Sequence, residues 1–424
     1  MTKLSFSTSD QYFDLNTLFS FIAETGPNPV TTPQIHPISW PLMWSYLQRA
    51  AMEGERFDIS EIGSTWVPSF ASMGHISEVD PAVYPQLSDP NRFVPSAWRS
   101  VSLMNDGRRF AVPYLADTRI VYYWKDILSS VDADDPSAFG TPSKMDTTLS
   151  ELRAVGRPGW AAPTFGVTNI VHEIASWIWG GGGDFLSADG MRTAFCSEEA
   201  VAGIVSYFNL QRYMEYKHDS LDSVLETFER KKASVIISGP WFYQRLRRNH
   251  TADELKETLG TALPPGPPFV GGSALVVWKG ADSEPQQSAL EWAARLTSPQ
   301  GQEAVCQSTG LLPVLRESFD SPPYSVDPHY EVFRQALKTG RPLPQVAYWG
   351  ALEAELVHAF GNIWSDIKED TTTSPERAVR EHLVPCARKF DAALLRASLS
   401  PRAQDTAPAP APEPQPETDT APAP

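Results

Sequence analysis

From Lys3 to Gly74 the chain alternates short extended runs with segments of helical spacing, and this alternation constrains the fold more than any other feature. Residues Lys3–Ser7 read as a strand. Leu15–Ala23 carries apolar side chains at helical spacing and stops at Glu24-Thr25-Gly26-Pro27. A second strand is expected at Gln34–Ile38, then a helix over Met43–Met52 closed by Gly54. Phe57–Ile62 reads as the third strand and Pro68–Met73 as a short helix ending at Gly74. A β-α-β-α-β order predicts a mainly parallel sheet flanked by helices. With 424 residues the chain exceeds the roughly 250–300 at which single cores stop growing, so two α/β lobes are expected.

Two extended runs meet around Pro113 and Asp117 within Phe110–Tyr123, which predicts a crossing from one lobe to the other. Helical patterns follow at Asn169–Trp179, Glu198–Tyr213 and Ser220–Arg230, with an apolar strand run at Ala233–Ser238. Gly272–Trp278 returns as a strand, and helices are expected at Pro285–Leu296, Gln300–Gln307, Trp349–Trp364 and Ser374–Arg396. The expected division is residues 1–115 and 269–313 for the first lobe. Residues 116–268 and 314–399 form the second lobe with the C-terminal helices. Residues 400–424, rich in Ala, Pro, Glu, Asp and Thr, cannot bury enough surface to offset ordering entropy and are expected to be a disordered tail.

The net charge of −16 argues against nucleic acid or an anionic membrane as partner, since both need clustered Lys and Arg. The densest basic stretch, Arg245, Arg247 and Arg248, reads as a solvated helix face. Cys196, Cys306 and Cys386 form no C-x-x-C pair, so free thiols are expected and no metal or cofactor is implied. Gly180–Gly183 is read as a helix end, because no strand precedes it and no Gly-Lys-Ser/Thr follows. MTKLSFSTSD contains no apolar signal region, so the product as it stands is expected in the cytoplasm, or outside it if the true start lies upstream.

Several punctuated segments carry a resemblance. FDISEIGSTWVPSFASMGHISEVD looks like a third strand and its helix, RRFAVPYLADTRIVYYWKDIL like a hinge crossing, and SVIISGPWFYQRL like a strand–Gly-Pro-Trp–helix element. WIWGGGGDFLSADGMRTAF and the return segment GGSALVVWKGADSEPQQSALEWAARL complete the order. Together, over roughly residues 3–395, they resemble the sugar-type extracellular solute-binding proteins of ABC importers, the maltose-binding-protein-like family. Trp124 stands where many members have Asn. The resemblance implies a two-lobed, hinge-closing monomer that captures a carbohydrate or similar polyol and delivers it to an importer's permease subunits.

In open parallel sheets a ligand binds beyond the carboxyl ends of the strands, at the switch point. Sugars offer apolar C–H faces and a rim of hydroxyls, which suit aromatic rings and carboxylates respectively. The candidates at those ends are Trp66 and Trp241 for the faces, to which Trp349 is added, with Asp10, Glu61 and Asp117 for the rim. Tyr348, beside Trp349, and His172, near a helix start, join them, although a surface histidine is the plainer reading of His172. The resemblance implies stacking roles for Trp241 and Trp349 and a hinge-carboxylate role for Asp117. Trp177, Trp179, Trp292 and Trp364 sit at helical spacing and are assigned to cores. Two other readings stay open. One is an intracellular sugar sensor read by a regulatory protein. The other is a glycoside-acting enzyme, which needs a carboxyl pair about 5–5.5 or 6.5–9.5 Å apart.

Overall fold

A computed structural model of the protein describes residues 4–25, 29–55, 57–164, 168–216, 218, 220–280, 283–369 and 372–398. The expected disordered tail, Lys3 and the Gly26-Pro27 stop lie outside these residues. The described strands are β1 (Ser5–Ser9), β2 (Gln34–Ile38), β3 (Ile59–Gly63), β4 (Val112–Thr118), β5 (Ile120–Trp124), β6 (Val235–Ser238), β7 (Leu259–Ala262), β8 (Val270–Val277) and β9 (Leu312–Pro313). They form a six-stranded sheet of order β2-β1-β3-β8-β4-β9 and a three-stranded sheet of order β6-β5-β7. Helices flank both, so the molecule is the two-lobed α/β architecture that the alternation predicts.

One part of that expectation needs correction. Pairing is parallel only across β2, β1 and β3; β8 runs antiparallel to β3 and β4, and β9 antiparallel to β4. The smaller sheet pairs antiparallel throughout. The cause is the crossing itself: β4 carries the chain out of the large sheet and β8 brings it back beside β4, so the two must oppose. β3 is buried at every residue, as befits a strand covered on both faces, whereas β2 is partly exposed and carries Pro37. Proline lacks the donor for a second ladder, so its strand lies at the edge.

Local chemistry fixes the elements that face the crossing. The helix Trp40–Glu53 follows Ser39, has Pro41 in its first turn, and ends at Gly54, whose φ of 79° suits a residue without Cβ. It starts three residues before the expected Met43, because proline is tolerated in a first turn. Val67–Ser72 likewise opens with Pro68. Helices over Pro142–Ala154 and Pro328–Thr339, and strand β7, are not evident from periodicity.

The crossing is tight. Arg119 alone separates β4 from β5, and the Thr118 hydroxyl donates to the Phe269 carbonyl at 2.7 Å, tying the outgoing strand to the returning one. Val270 N–H donates to the Arg341 carbonyl and Arg341 N–H to that of Pro268, both at 2.9 Å. The second lobe's core is aromatic: Trp177 and Trp364 pack edge-on against Tyr207. Trp177, Trp179, Trp292 and Trp364 are buried, as their spacing predicts. Trp124 stacks on Phe228 at 4.8 Å and donates to its carbonyl at 2.8 Å. The three cysteines are free. No helix among the described residues is long and apolar enough to cross a membrane.

Candidate functional site

The register places the site. Gly63 of β3 pairs with Ser273 of β8, and Leu115 of β4 pairs with the same residue, so β3 and β4 end toward the crossing together. Across it, Ile120 pairs with Ser238, which points β6 at the same seam from the other side. The carboxyl ends of strands from both sheets therefore face one cleft.

An indole cluster lines the first-lobe side. The Trp40 ring stacks on Trp66 at 5.2 Å and 24°, and Trp44 lies 5.6 Å from Trp66 while meeting Phe70 edge-on at 5.3 Å. All three indoles are half-buried, so each packs on a neighbour and keeps surface in reserve. Trp66 sits over Gly63, where a methyl group would stand 2.9 Å from the ring. Trp44 faces the start of the helix Trp349–Glu369, where a methyl on Gly350 would lie 3.7 Å from its Cζ2. Sequence reasoning finds Trp66 and misses Trp40 and Trp44. Their i, i+4 spacing just after β2 is the available signal, hidden because apolar periodicity starts the helix too late.

The carboxylates differ. Glu61 is 2% exposed and one oxygen, Oε2, accepts from the Thr8 hydroxyl (2.5 Å), the Tyr12 hydroxyl (2.9 Å) and Ser9 N–H (3.2 Å). That network is structural in character. With that proton committed to Glu61, the Tyr12 oxygen accepts from the Tyr114 hydroxyl at 3.1 Å, and burial holds both phenols well above the usual tyrosine range. Asp10 is exposed, with its N–H donating to the Ile38 carbonyl at 3.0 Å.

Asp117 stands at the seam. Its Oδ2 accepts from Arg119 Nη1 at 2.7 Å, while Oδ1 is buried and lacks a hydrogen-bond partner among the described residues. Gly239 brings Trp241 to it: a methyl group there would collide with the indole nitrogen edge and stand 2.9 Å from Asp117 Oδ1. The Gly-Pro turn thus positions a half-buried indole beside a carboxylate oxygen that has no donor. β8 alone separates this pair from the Trp66 cluster in the sheet order.

Arg119 is 4% exposed at its side chain and donates also to the Thr118 carbonyl (2.9 Å), Asn169 Oδ1 (3.4 Å) and His172 Nδ1 (3.3 Å). The His172 ring lies flat on Phe269 at 4.0 Å and 3°, with Nε2 3.4 Å from Glu353 Oε1. Next to it, Glu173 is buried against Tyr207, and burial raises its carboxyl to about 8.

Two candidates are placed elsewhere. Trp349 is 0% exposed and packs edge-on against Phe185 at 5.4 Å. In this structure the indole is packed on all sides, so the stacking role expected of it finds no open ring face here. Tyr348 is half-buried with its hydroxyl donating to the Gly190 carbonyl, and burial raises that phenol to about 12. The structure thus brings together Asp117, Trp241 and, through Arg119, His172 at the seam, with Trp66 at the end of β3 in the same sheet as Asp117.

Comparison with known proteins bears on this geometry. A family model described as bacterial extracellular solute-binding protein matches residues 21–332. The chain is 23% identical over 329 residues to the diacetylchitobiose binding protein DasA of Streptomyces coelicolor, covering 74% of this chain and 73% of that protein. The solved structure of the sugar-binding protein MalE from Xanthomonas citri is similar with a TM-score of 0.79 at 20% identity, covering 94% of this chain and 98% of that one. UgpB from Mycobacterium tuberculosis, solved in complex with glycerophosphocholine, is similar with a TM-score of 0.74 at 18% identity, covering 94% and 100%.

Proposed function

The chain belongs to the bacterial extracellular solute-binding protein family, and from that membership we propose that it captures a carbohydrate or similar polyol in the cleft between its lobes. The carrying observation is the half-buried indole of Trp241 beside the unpartnered buried oxygen of Asp117, with the half-buried indole cluster of Trp40, Trp44 and Trp66 at the end of β3, two strands away in the same sheet. Indole faces remove sugar C–H surface from water, and a carboxylate oxygen lacking a donor accepts from a hydroxyl. Relatives named for diacetylchitobiose and for sugar support the same ligand class. The fold alone does not choose it, since a neighbour of comparable likeness holds glycerophosphocholine.

In this reading the ligand touches both lobes and draws them together about the passages at Arg119 and Phe269. It shifts the hinge only by its differential affinity for the closed form. The closed monomer then delivers its cargo to an ABC-type importer, and no bond of the ligand is broken. The remaining cleft candidates, Asp10, Glu61 and Tyr348, are rim or supporting positions.

A thermal-shift screen against mono-, di- and trisaccharides, polyols and sugar phosphates tests the proposal. A ligand at about 100 times its Kd stabilises the native state by about 2.7 kcal/mol and raises the melting temperature with concentration. A flat response across the whole panel would overturn the carbohydrate reading. Release of a chromogenic aglycone from an added glycoside would overturn the non-enzymatic one.

A further inference from the structure

We propose that His172 is a positioning residue of the hinge, held as the Nε2–H tautomer between Arg119 and Glu353, and that this chain of contacts fixes the direction of Asp117. It rests on the proposed function only for the task it gives Asp117. The argument begins with Arg119. A guanidinium has donors and no acceptor, so the His172 Nδ1 that meets Nη2 at 3.3 Å must offer its lone pair. A neutral imidazole then carries its proton on Nε2. That nitrogen lies 3.4 Å from Glu353 Oε1, a buried carboxylate oxygen that makes no hydrogen bond among the described residues. One ring edge is thus hydrogen-bonded, the other stands against a carboxylate oxygen, and one ring face is covered by Phe269.

The chain runs through four separate pieces of the fold. Glu353 belongs to the helix Trp349–Glu369, His172 to Asn169–Gly180, Arg119 to the single-residue link between β4 and β5, and Phe269 to the approach to β8. Arg119 is sandwiched: its guanidinium carbon lies 5.6 Å from the Phe269 ring centre, and Asn169 Oδ1 caps Nη2 at 3.4 Å. With Nη2 held by His172 and Asn169, Nη1 is aimed at Asp117 Oδ2 and the Thr118 carbonyl. Fixing Oδ2 fixes the carboxylate plane, which leaves Oδ1 turned to the Gly239–Trp241 side of the cleft. The helix Trp349–Glu369 therefore sets the orientation of a cleft group through His172 and Arg119.

The test needs no ligand. Long-range proton–nitrogen correlation spectra of the 15N-labelled full chain report which ring nitrogen carries the proton, and His172 is assigned by its loss in His172→Gln. The expected pattern is a protonated Nε2 and an unprotonated Nδ1, whose resonance moves in Arg119→Met while Nε2 moves in Glu353→Gln. If Arg119→Met does not fold, Arg119→Lys replaces it. Amide exchange supplies the second readout: His172→Leu should speed exchange in Asp117–Ile120 and Phe269–Val270, and His172→Gln, which keeps an acceptor and a donor, should restore protection. An Nδ1–H tautomer, an Nδ1 signal indifferent to Arg119, or equal exchange in the two variants would each overturn the positioning role. A carbohydrate panel without a hit leaves these readouts intact, so the two failures are distinguishable.

Discussion

Glutamine at position 173 is expected to stabilise the protein in mild alkali and to leave it nearly unchanged in mild acid. Glu173 is 1% exposed; Oε2 accepts from the Tyr207 hydroxyl at 2.9 Å, and Oε1 has no hydrogen-bond partner among the described residues. Burial raises its carboxyl from 4.5 to about 8, against the smaller opposing pull of the Tyr207 hydrogen bond and the Arg119 charge. An unfolded chain leaves the group near its ordinary value. Between the two values the native state holds a proton that the unfolded state has released, so stability falls as pH rises, by about 1.4 kcal/mol per pH unit. The contribution is whole below about pH 4.5 and gone above about pH 8, a span of about 5 kcal/mol. Glutamine carries no charge and still accepts from Tyr207, so it removes the span and keeps the contact. Urea unfolding followed by tryptophan fluorescence, at about pH 5 and about pH 8.5, reads the difference. The two proteins should agree within about 1 kcal/mol at the lower pH, with the variant ahead by several kcal/mol at the higher. Parallel pH profiles would refute the buried-carboxyl argument.

Three further outcomes follow from the cleft. Trp241→Ala and Trp66→Ala are each expected to weaken binding of a carbohydrate found in the thermal-shift panel by about 1–3 kcal/mol, measured by titration calorimetry on variants with native circular dichroism; unchanged affinity would remove that residue from the site. Gly239→Ala drives a methyl into the Trp241 indole and Asp117, so it should destabilise by about 1–3 kcal/mol and depress affinity, and a variant with native melting and affinity would contradict the close approach. Trp349→Ala empties a core position and should cost about 3–5 kcal/mol of stability, seen as a lowered melting temperature, whereas Trp44→Ala, half-buried, should cost clearly less.

The lobes and most elements are legible because apolar periodicity and Gly/Pro punctuation operate locally. Gly54 closing its helix and Pro68 opening the next are examples in which one residue's backbone preference decides an end. Strand direction is not legible: the antiparallel entry of β8 beside β4 depends on where the chain returns after about 150 residues, and no local preference records that. The candidate site is half legible. Asp117 and Trp241 follow from their places at strand ends. Trp40 and Trp44 are lost with the helix start, and an indole at a helix start such as Trp349 reads the same whether it faces a cleft or, as here, Phe185. Glu353 cannot be read from sequence at all, since its meaning depends on the ring of His172, far earlier in the chain.

In the proposed function Asp117 serves hinge and cleft at once, and a single isosteric change separates the two. A guanidinium as buried as that of Arg119 is tolerated only when paired and hydrogen-bonded, and Asp117 Oδ2 supplies its charge partner. The other oxygen has no hydrogen-bond partner among the described residues, and the proposed function gives it to the ligand. An asparagine in its place would keep the shape, with the side-chain carbonyl free to accept from Arg119 and the amide then turned toward Trp241. The polarity of the cleft group is thereby inverted from acceptor to donor, while the contact that orders the hinge survives as a weaker, singly charged hydrogen bond. Asp117→Asn is therefore expected to lose at least about 1.4 kcal/mol of carbohydrate affinity, a factor of ten, with amide protection at Asp117–Ile120 largely kept. Asp117→Ala removes both functions and should lose affinity and protection together. Calorimetry and amide exchange on the pair decide the matter. An asparagine variant that binds like the native protein would show that Oδ1 does not meet the ligand. One that loses hinge protection as fully as the alanine variant would show that the charge, not the geometry, holds Arg119.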